Sequence, residues 1–407
     1  MVTDKERGLV ITFVSNYINH HQLPFCEAIS SLGDDVTFFF IQTMPMEEKR
    51  KSMGWAVDES AYPYLILYYE DEKRAKDLIL GSDVVLFGWT EGKLSELRKE
   101  RLSSGKLSFC VSERIYREGQ WKCISPRGLI NKYHEHFVFR NKPVYLLCTG
   151  AYVASDFSLI KSYPGKMLKW GYFPDAARGL GDSEEKKSDG NTVNLCWAGR
   201  LIELKHPEFA VKAAAALKSA GYGFSLDLIG EGPLKTELQE MVRKEKLEDV
   251  VTIHGGKKPA EVISYMREAD VFLFTSNYLE GWGAVVNEAM QCGCAVLASA
   301  EAGAVPFLIK DGENGLIYDR GDYDHFERRL RELLDDRSRI ELLGKRAKDT
   351  IENTWNAKRA AKELVRFCKE QLEGKKPVPA KEGPMSVADI IAPPGFARTF
   401  QEKNRLE

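Results

Sequence analysis

Short apolar runs alternate with charged segments of helical spacing along most of this chain. Leu9-Val10-Ile11-Thr12-Phe13-Val14 opens the series, and Val36 to Ile41, Tyr64 to Tyr69, Val84 to Phe87, Leu107 to Val111 and Val144 to Cys148 continue it. Runs this short, rich in β-branched and aromatic residues, predict buried strands. Their alternation with helical segments predicts an α/β domain with a mainly parallel sheet. A second alternation begins at Val193 to Trp197 and runs through Ser225 to Ile229, Val250 to His254, Val271 to Thr275 and Ala295 to Ala298 to Leu316-Ile317-Tyr318. Helical patterns at Tyr323 to Leu334, Ser338 to Trp355 and Lys358 to Leu372 follow. The expected architecture is two Rossmann-like domains facing across a cleft. They span 1–175 and 193–355, with a Gly-, Ser- and charge-rich linker over 176–192. Residues 356–407 supply a final helix and a proline-bearing tail, for which packing back on the first domain and lying loose both stay open.

Composition narrows the class. A 407-residue chain that is 43% hydrophobic can bury two or three domain cores, and a net charge of −2 provides no overall pull toward nucleic acid. Eight cysteines without a repeated C-x-x-C spacing argue against a zinc or disulfide framework and for a reducing, cytoplasmic compartment. The first apolar run stops at Val14, too short for a signal sequence, and no stretch is long enough to span a bilayer. Any membrane contact is therefore expected to be peripheral. Two stretches bear on it: Lys93 to Arg101 reads as a solvated helix face, and Lys132 to Lys142 as a core strand with charged ends.

In parallel sheets ligands meet the loops after the strands. The densest such loop is Tyr278 to Met290, where Glu280, Gly281, Trp282, Gly283 and Ala284 lead into a helical pattern carrying Glu288. Free N–H groups at that helix start favour an anion, and Gly281 and Gly283 would let a phosphate or sugar approach the backbone. On a fully helical path the two glutamates would stand roughly 12 Å apart, enough for acceptor-only carboxylates to take the hydroxyls of two sugars flanking a pyrophosphate. Read alone, this stretch fits a solvated Glu280 and an exposed Glu288 as well.

The loop after Val193 to Trp197 carries Gly199, Arg200 and Lys205, a guanidinium and an ammonium suited to a pyrophosphate. Gly230-Glu231-Gly232 and Gly255-Gly256-Lys257 end the next two strands and could admit a nucleobase, or be ordinary turns. In the first domain, Asn16, Asn19, His20, His21 and Glu113 lie on the ligand edge. The histidines are candidate proton carriers or donors to substrate, with a cap and a solvated ring as the plainer alternative. Glu113 with Arg114 equally fits a surface ion pair. Asp322-Tyr323-Asp324 has the letters of a metal-binding DxD, but at a helix start capping explains it better.

Taken together, Gly199-Arg200-Leu201 with Lys205, the Gly230-Glu231-Gly232-Pro233 turn, Glu280 and Glu288 spaced E-x(7)-E with Ala289-Met290, and Asp311 to Leu316 resemble the family 4 retaining glycosyltransferases of GT-B fold. The register holds from Val193 to Trp355. The resemblance implies a nucleotide-diphosphate sugar, UDP-sugar favoured, held by the second domain and a glycan or lipid-linked acceptor held by the first, as in surface polysaccharide synthesis. It assigns Arg200 and Lys205 to the diphosphate, Glu288 to the ribose, and Glu280 with the backbone at Gly281 to Gly283 to the transferred sugar. It implies retention, and with Asp322-Tyr323-Asp324 read as a cap no metal or other cofactor is expected. A nucleotide-sugar epimerase or hydrolase of the same architecture, and an inactive nucleotide-sugar-binding subunit, are the competing readings. The chain departs from the family at the glycine-poor Ser15 to His21, at Ser112-Glu113 where a histidine is expected, and at Phe307, where an acid commonly follows the proline.

Overall fold

The computed structural model describes residues 8–33, 35–51, 57–90, 92–176, 192–319 and 321–394. Apart from its two ends, the expected linker over 176–192 lies outside them. The chain divides into two compact units, one containing the residues up to Pro174 together with Trp355–Ala392, the other Asp175–Thr354 together with the residues from Pro393 on.

The first unit is built on a seven-stranded parallel sheet of β1 (Leu9–Ser15), β2 (Val36–Gln42), β3 (Leu65–Leu67), β4 (Val84–Phe87), β5 (Ser108–Ser112), β6 (Val144–Thr149) and β7 (Met167–Trp170), in the order β3-β2-β1-β4-β5-β6-β7. The second unit has six parallel strands, β8 (Val193–Ala198), β9 (Phe224–Ile229), β10 (Val251–Gly255), β11 (Val271–Phe274), β12 (Ala295–Ser299) and β13 (Leu316–Tyr318), in the order β10-β9-β8-β11-β12-β13. Every residue of β4, β11 and β12 is buried, as expected of strands covered on both faces. In each sheet the strand order reverses beside the first strand, between β1 and β4 and between β8 and β11. Connections leave those neighbours toward opposite faces, which opens a crevice at their carboxyl ends.

One local reading of the sequence needs correction, and two elements go beyond what it predicts. Met167–Trp170 is a strand although Met-Leu-Lys-Trp has neither alternation nor a β-branched residue; pairing with β6 decides it. Lys132 to Lys142 is not a core strand. Ser125 caps a helix over Pro126–Glu135, and a single turn at Phe137–Phe139 follows. The helix Ser95–Ser103 has the expected solvated side, with Ser95, Glu96, Lys99 and Glu100 exposed, but Arg101 is fully buried. Its guanidinium donates to the carbonyls of Ser82, Asp83 and Leu107 and to Ser108 Oγ, tying together the ends of β4 and β5.

The helix Ala357–Leu372 belongs to the first unit and packs on Leu23–Ser30, with Tyr145 Oη donating to Gln371 at 2.7 Å. Beyond it, Met385 N–H donates to Lys169, Lys169 N–H to Ser386 and Ala388 N–H to Met167, at 2.7–3.0 Å. This strap covers the free edge of β7, an edge that would otherwise present unpaired backbone groups.

The helix Arg337–Asn353 presses on β12 through Gly344, where an added Cβ would stand 2.3 Å from the Gly293 carbonyl oxygen. Gly344→Ala therefore destabilises the chain by about 1–3 kcal/mol, although the same change in an exposed helix gains up to about 1 kcal/mol. Urea denaturation reads the sign, and a raised midpoint would contradict the contact.

Candidate active site

At the β8/β11 reversal two loops meet, Gly199–His206 after β8 and Thr275–Gly283 after β11, and main-chain groups join them. Asn277 N–H donates to Leu204 O at 2.8 Å, and Thr275 Oγ1 donates to Lys205 O at 2.6 Å. Trp197, buried in β8, holds Thr275 in that role by donating its indole N–H to Oγ1 at 2.8 Å. The Asn277 side chain accepts from Leu279 N–H at 3.0 Å and meets His206 Nε2 at 3.3 Å, while His206 Nδ1 faces Glu208 at 2.7 Å. His206 has the left-handed backbone, φ 45°, that brings the chain from Lys205 into the helix starting at Pro207. Together these bonds place the Lys205 ammonium against the Glu280 carboxylate, with both side chains largely withdrawn from water, at 12% and 16% exposure.

Gly283 begins the helix Ala284–Gln291 at φ +92°, and a Cβ there would stand 2.6 Å from the Phe274 ring. Two requirements thus fix a glycine at this position. The helix then carries Glu288, half-buried and without a hydrogen-bond partner for its carboxylate among the described residues. Desolvation pushes that carboxyl up to about 7. The path from Glu280 to Glu288 is a turn followed by helix, so the fully helical separation does not apply. Arg200 projects into solvent at the same crevice and has no ion-pair partner among the described residues. A free guanidinium, a buried ammonium–carboxylate pair and an unpaired carboxyl thus lie on two adjacent loops and one helix. Cations at this edge suit a diphosphate, and an empty carboxylate suits a diol.

Other expected donor residues serve the loops themselves. A Cβ on Gly230 would fall 1.8 Å from the Gly199 oxygen, and one on Gly232 2.2 Å from the Leu201 oxygen. These glycines are set by backbone meeting backbone, reinforced by Gly199 N–H to Ile229 O, Leu201 N–H to Glu231 O and Gly230 N–H to Gly255 O at 2.9–3.0 Å. Glu231 is engaged by Lys235 at 2.6 Å and Gly256 N–H at 3.2 Å, and Gly255 has φ +73°. Lys257 lies exposed, 3.6 Å from Glu261. The Trp282 ring is 1% exposed and gives its N–H to Asn287 at 2.8 Å, so it offers a ligand main chain rather than a stacking face.

In the first unit the expected contacts are altered more. Asn16 Oδ1 accepts from Tyr17 N–H at 2.9 Å and Asn19 Oδ1 from His21 N–H at 3.0 Å, so these carbonyls shape the loop after β1. His20 and His21 lie with ring centroids 3.8 Å apart. Burial lowers His20 to about 4, and burial together with its neighbour lowers His21 to about 3. Both are therefore neutral near pH 7 and weaker bases than an ordinary imidazole. Glu113 does not pair with Arg114. Its carboxylate is shared by Arg117 and by Tyr172 Oη, the latter at 3.0 Å, and Arg114 instead meets the buried Asp156 at 3.2 Å. Asp322 caps its helix by accepting from His325 N–H at 3.0 Å.

Residues 182–354 match the family described as Glycosyl transferases group 1. The chain is 35% identical over 130 residues to a D-inositol 3-phosphate glycosyltransferase of Arthrobacter sp., covering 31% of this chain and 30% of that protein. It is 33% identical over 135 residues to the amylovoran biosynthesis glycosyltransferase AmsK of Erwinia amylovora, covering 32% and 33%. The chain spans less than half the length of the curated relatives it matches. Among solved structures, Anabaena HepE in complex with UDP aligns with a TM-score of 0.65 at 13% identity, over 90% of this chain and all of that one. Residues 182–354 are thus similar to the group 1 glycosyltransferases, and the aligned architecture is the pair of Rossmann-like domains of the GT-B fold.

Proposed function

We propose that this chain transfers a sugar, with retention of anomeric configuration, from a nucleoside-diphosphate sugar to a glycan or lipid-linked acceptor in surface polysaccharide synthesis. The observation that carries this reading is the convergence of Arg200, the Lys205–Glu280 pair and Glu288 at the β8/β11 reversal. Arg200 and Lys205 hold the diphosphate, Glu288 accepts the ribose hydroxyls, and Glu280 with the backbone at Gly281 to Gly283 positions the sugar. As the bond from the anomeric carbon to the diphosphate breaks, the acceptor oxygen bonds that carbon on the same face and its proton passes to the departing phosphate. The two cations stabilise the charge that develops there. UDP is the favoured nucleotide: a structural neighbour of the same fold is described in complex with it.

Two measurements check this site. In a thermal-shift panel of UDP, GDP, ADP and TDP with a metal chelator present, UDP raises the melting temperature. Arg200→Ala weakens the response about tenfold to hundredfold through loss of charge-assisted bonds. The melting temperature of the unliganded variant stays at the wild-type value, because Arg200 is exposed and pairs with nothing described. Wild-type affinity in the variant would overturn the diphosphate assignment.

The second measurement uses pH. Glu288 binds its proton more tightly when folded, at about 7, than when unfolded, where a glutamate titrates near about 4.3. Its contribution to stability is therefore complete at about pH 4 and is lost as pH rises through 7. Glu288→Gln has no proton to lose. It matches wild type near about pH 4 and exceeds it by about 1–3 kcal/mol near about pH 8 in urea titrations. A difference that does not change with pH counts against an unpaired, desolvated carboxyl.

A further inference from the structure

The helix Pro126–Glu135 buries none of its residues. Ile124, Ile130 and Tyr133 are 76%, 59% and 50% exposed, and Leu129 and Leu159 are also open to solvent. A contiguous apolar surface on a water-soluble face is unusual enough to indicate an interaction. Leu129, Ile130, Tyr133 and Phe137 line one groove of 430 Å³ with Leu159 and Lys161.

Charge is arranged around this stripe. At about 100° per residue, Leu129, Ile130 and Tyr133 fall in one sector, Arg127 and His134 border it on one side and Lys132 on the other. Glu135, the one acid of the helix, points away and draws Lys132 to it at 2.7 Å. Arg127 and Lys161 are exposed without an ion-pair partner among the described residues, and Arg140 lies over Phe137 at 4.9 Å. An apolar stripe bordered by cations, with its acid turned away, matches a flat polyanionic surface with an oily layer beneath. A helix lying in such an interface buries its apolar face among the headgroups while the bordering cations meet lipid phosphates.

We propose that Pro126–Glu135 and the adjoining Ile124, Phe137, Leu159 and Lys161 dock the chain peripherally on an anionic bilayer. The net charge of −2 makes this a local attraction, effective only within about 8–10 Å of the surface at ordinary salt. The docking is independent of the transfer chemistry proposed above and is tested without nucleotide or acceptor.

The test is co-sedimentation of the full chain with vesicles of phosphatidylcholine alone and of phosphatidylcholine mixed with phosphatidylglycerol. The chain pellets with the mixed vesicles, less as salt rises, and only weakly with phosphatidylcholine. Arg127→Glu lowers the affinity by about fivefold or more, the worth of one cation at a charged surface. Ile130→Asp lowers it further, and the circular dichroism of both variants stays at wild type because neither side chain is buried. Failure of the wild-type chain to pellet with mixed vesicles overturns the proposal, as does equal pelleting of both variants. A wild-type dimer on size-exclusion chromatography that Ile130→Asp converts to monomer also overturns it, assigning the face to a second copy of the chain.

Discussion

Lys205 and Glu280 form an ion pair that is largely withdrawn from water. Taking either partner away would leave the other uncompensated and poorly hydrated, a cost of several kcal/mol. The surrounding bonds are those needed to prevent that. Trp197, Thr275 and Asn277 fix the main chain on both sides of the pair, and His206 turns the backbone sharply enough to end one loop where the other begins. In the function proposed above, an incoming diphosphate and sugar would reorganise the pair, giving its carboxylate sugar hydroxyls to accept and its ammonium phosphate oxygens.

Much of this was legible in the sequence, for a physical reason. Strands covered on both faces contain almost nothing polar, so Val271–Phe274 and Ala295–Ser299 stand out as apolar runs whatever surrounds them. What could not be read is what pairing decides. The order β10-β9-β8-β11-β12-β13 is non-local, yet it alone makes the loops of β8 and β11 neighbours. Thr275, Asn277 and His206 were missed because their importance lies in contacts across some seventy positions of sequence, as in Thr275 with Lys205 and Asn277 with His206. Their positions just past a strand or beside Lys205 were the available signal. Lys132 to Lys142 was misread because its bases and aromatics suit a strand end and an exposed helix alike.

The two units differ in what specifies their ligand edges. In the second, glycines allow three loops to touch backbone to backbone, a geometry that leaves a distinct mark in the sequence. In the first, the loop after β1 holds its shape with side chains, as Asn16 and Asn19 accept from nearby N–H groups and two neutral imidazoles lie together. Many sequences could achieve the same shape. The family match over 182–354 coincides with the second unit.

The strap at Met385–Ala388 and the helix Ala357–Leu372 have a consequence for the order of synthesis. The first unit is interrupted in the chain by Asp175–Thr354, which carry all six strands of the second sheet. During translation that second sheet can therefore form while the first unit still lacks its last helix and the cover on β7. At about 5–20 residues per second, the ribosome needs about ten to forty seconds to traverse the intervening segment. Through that interval the nascent first sheet has an open edge, which makes the final residues a timer on when the amino-terminal half becomes safe from misassociation.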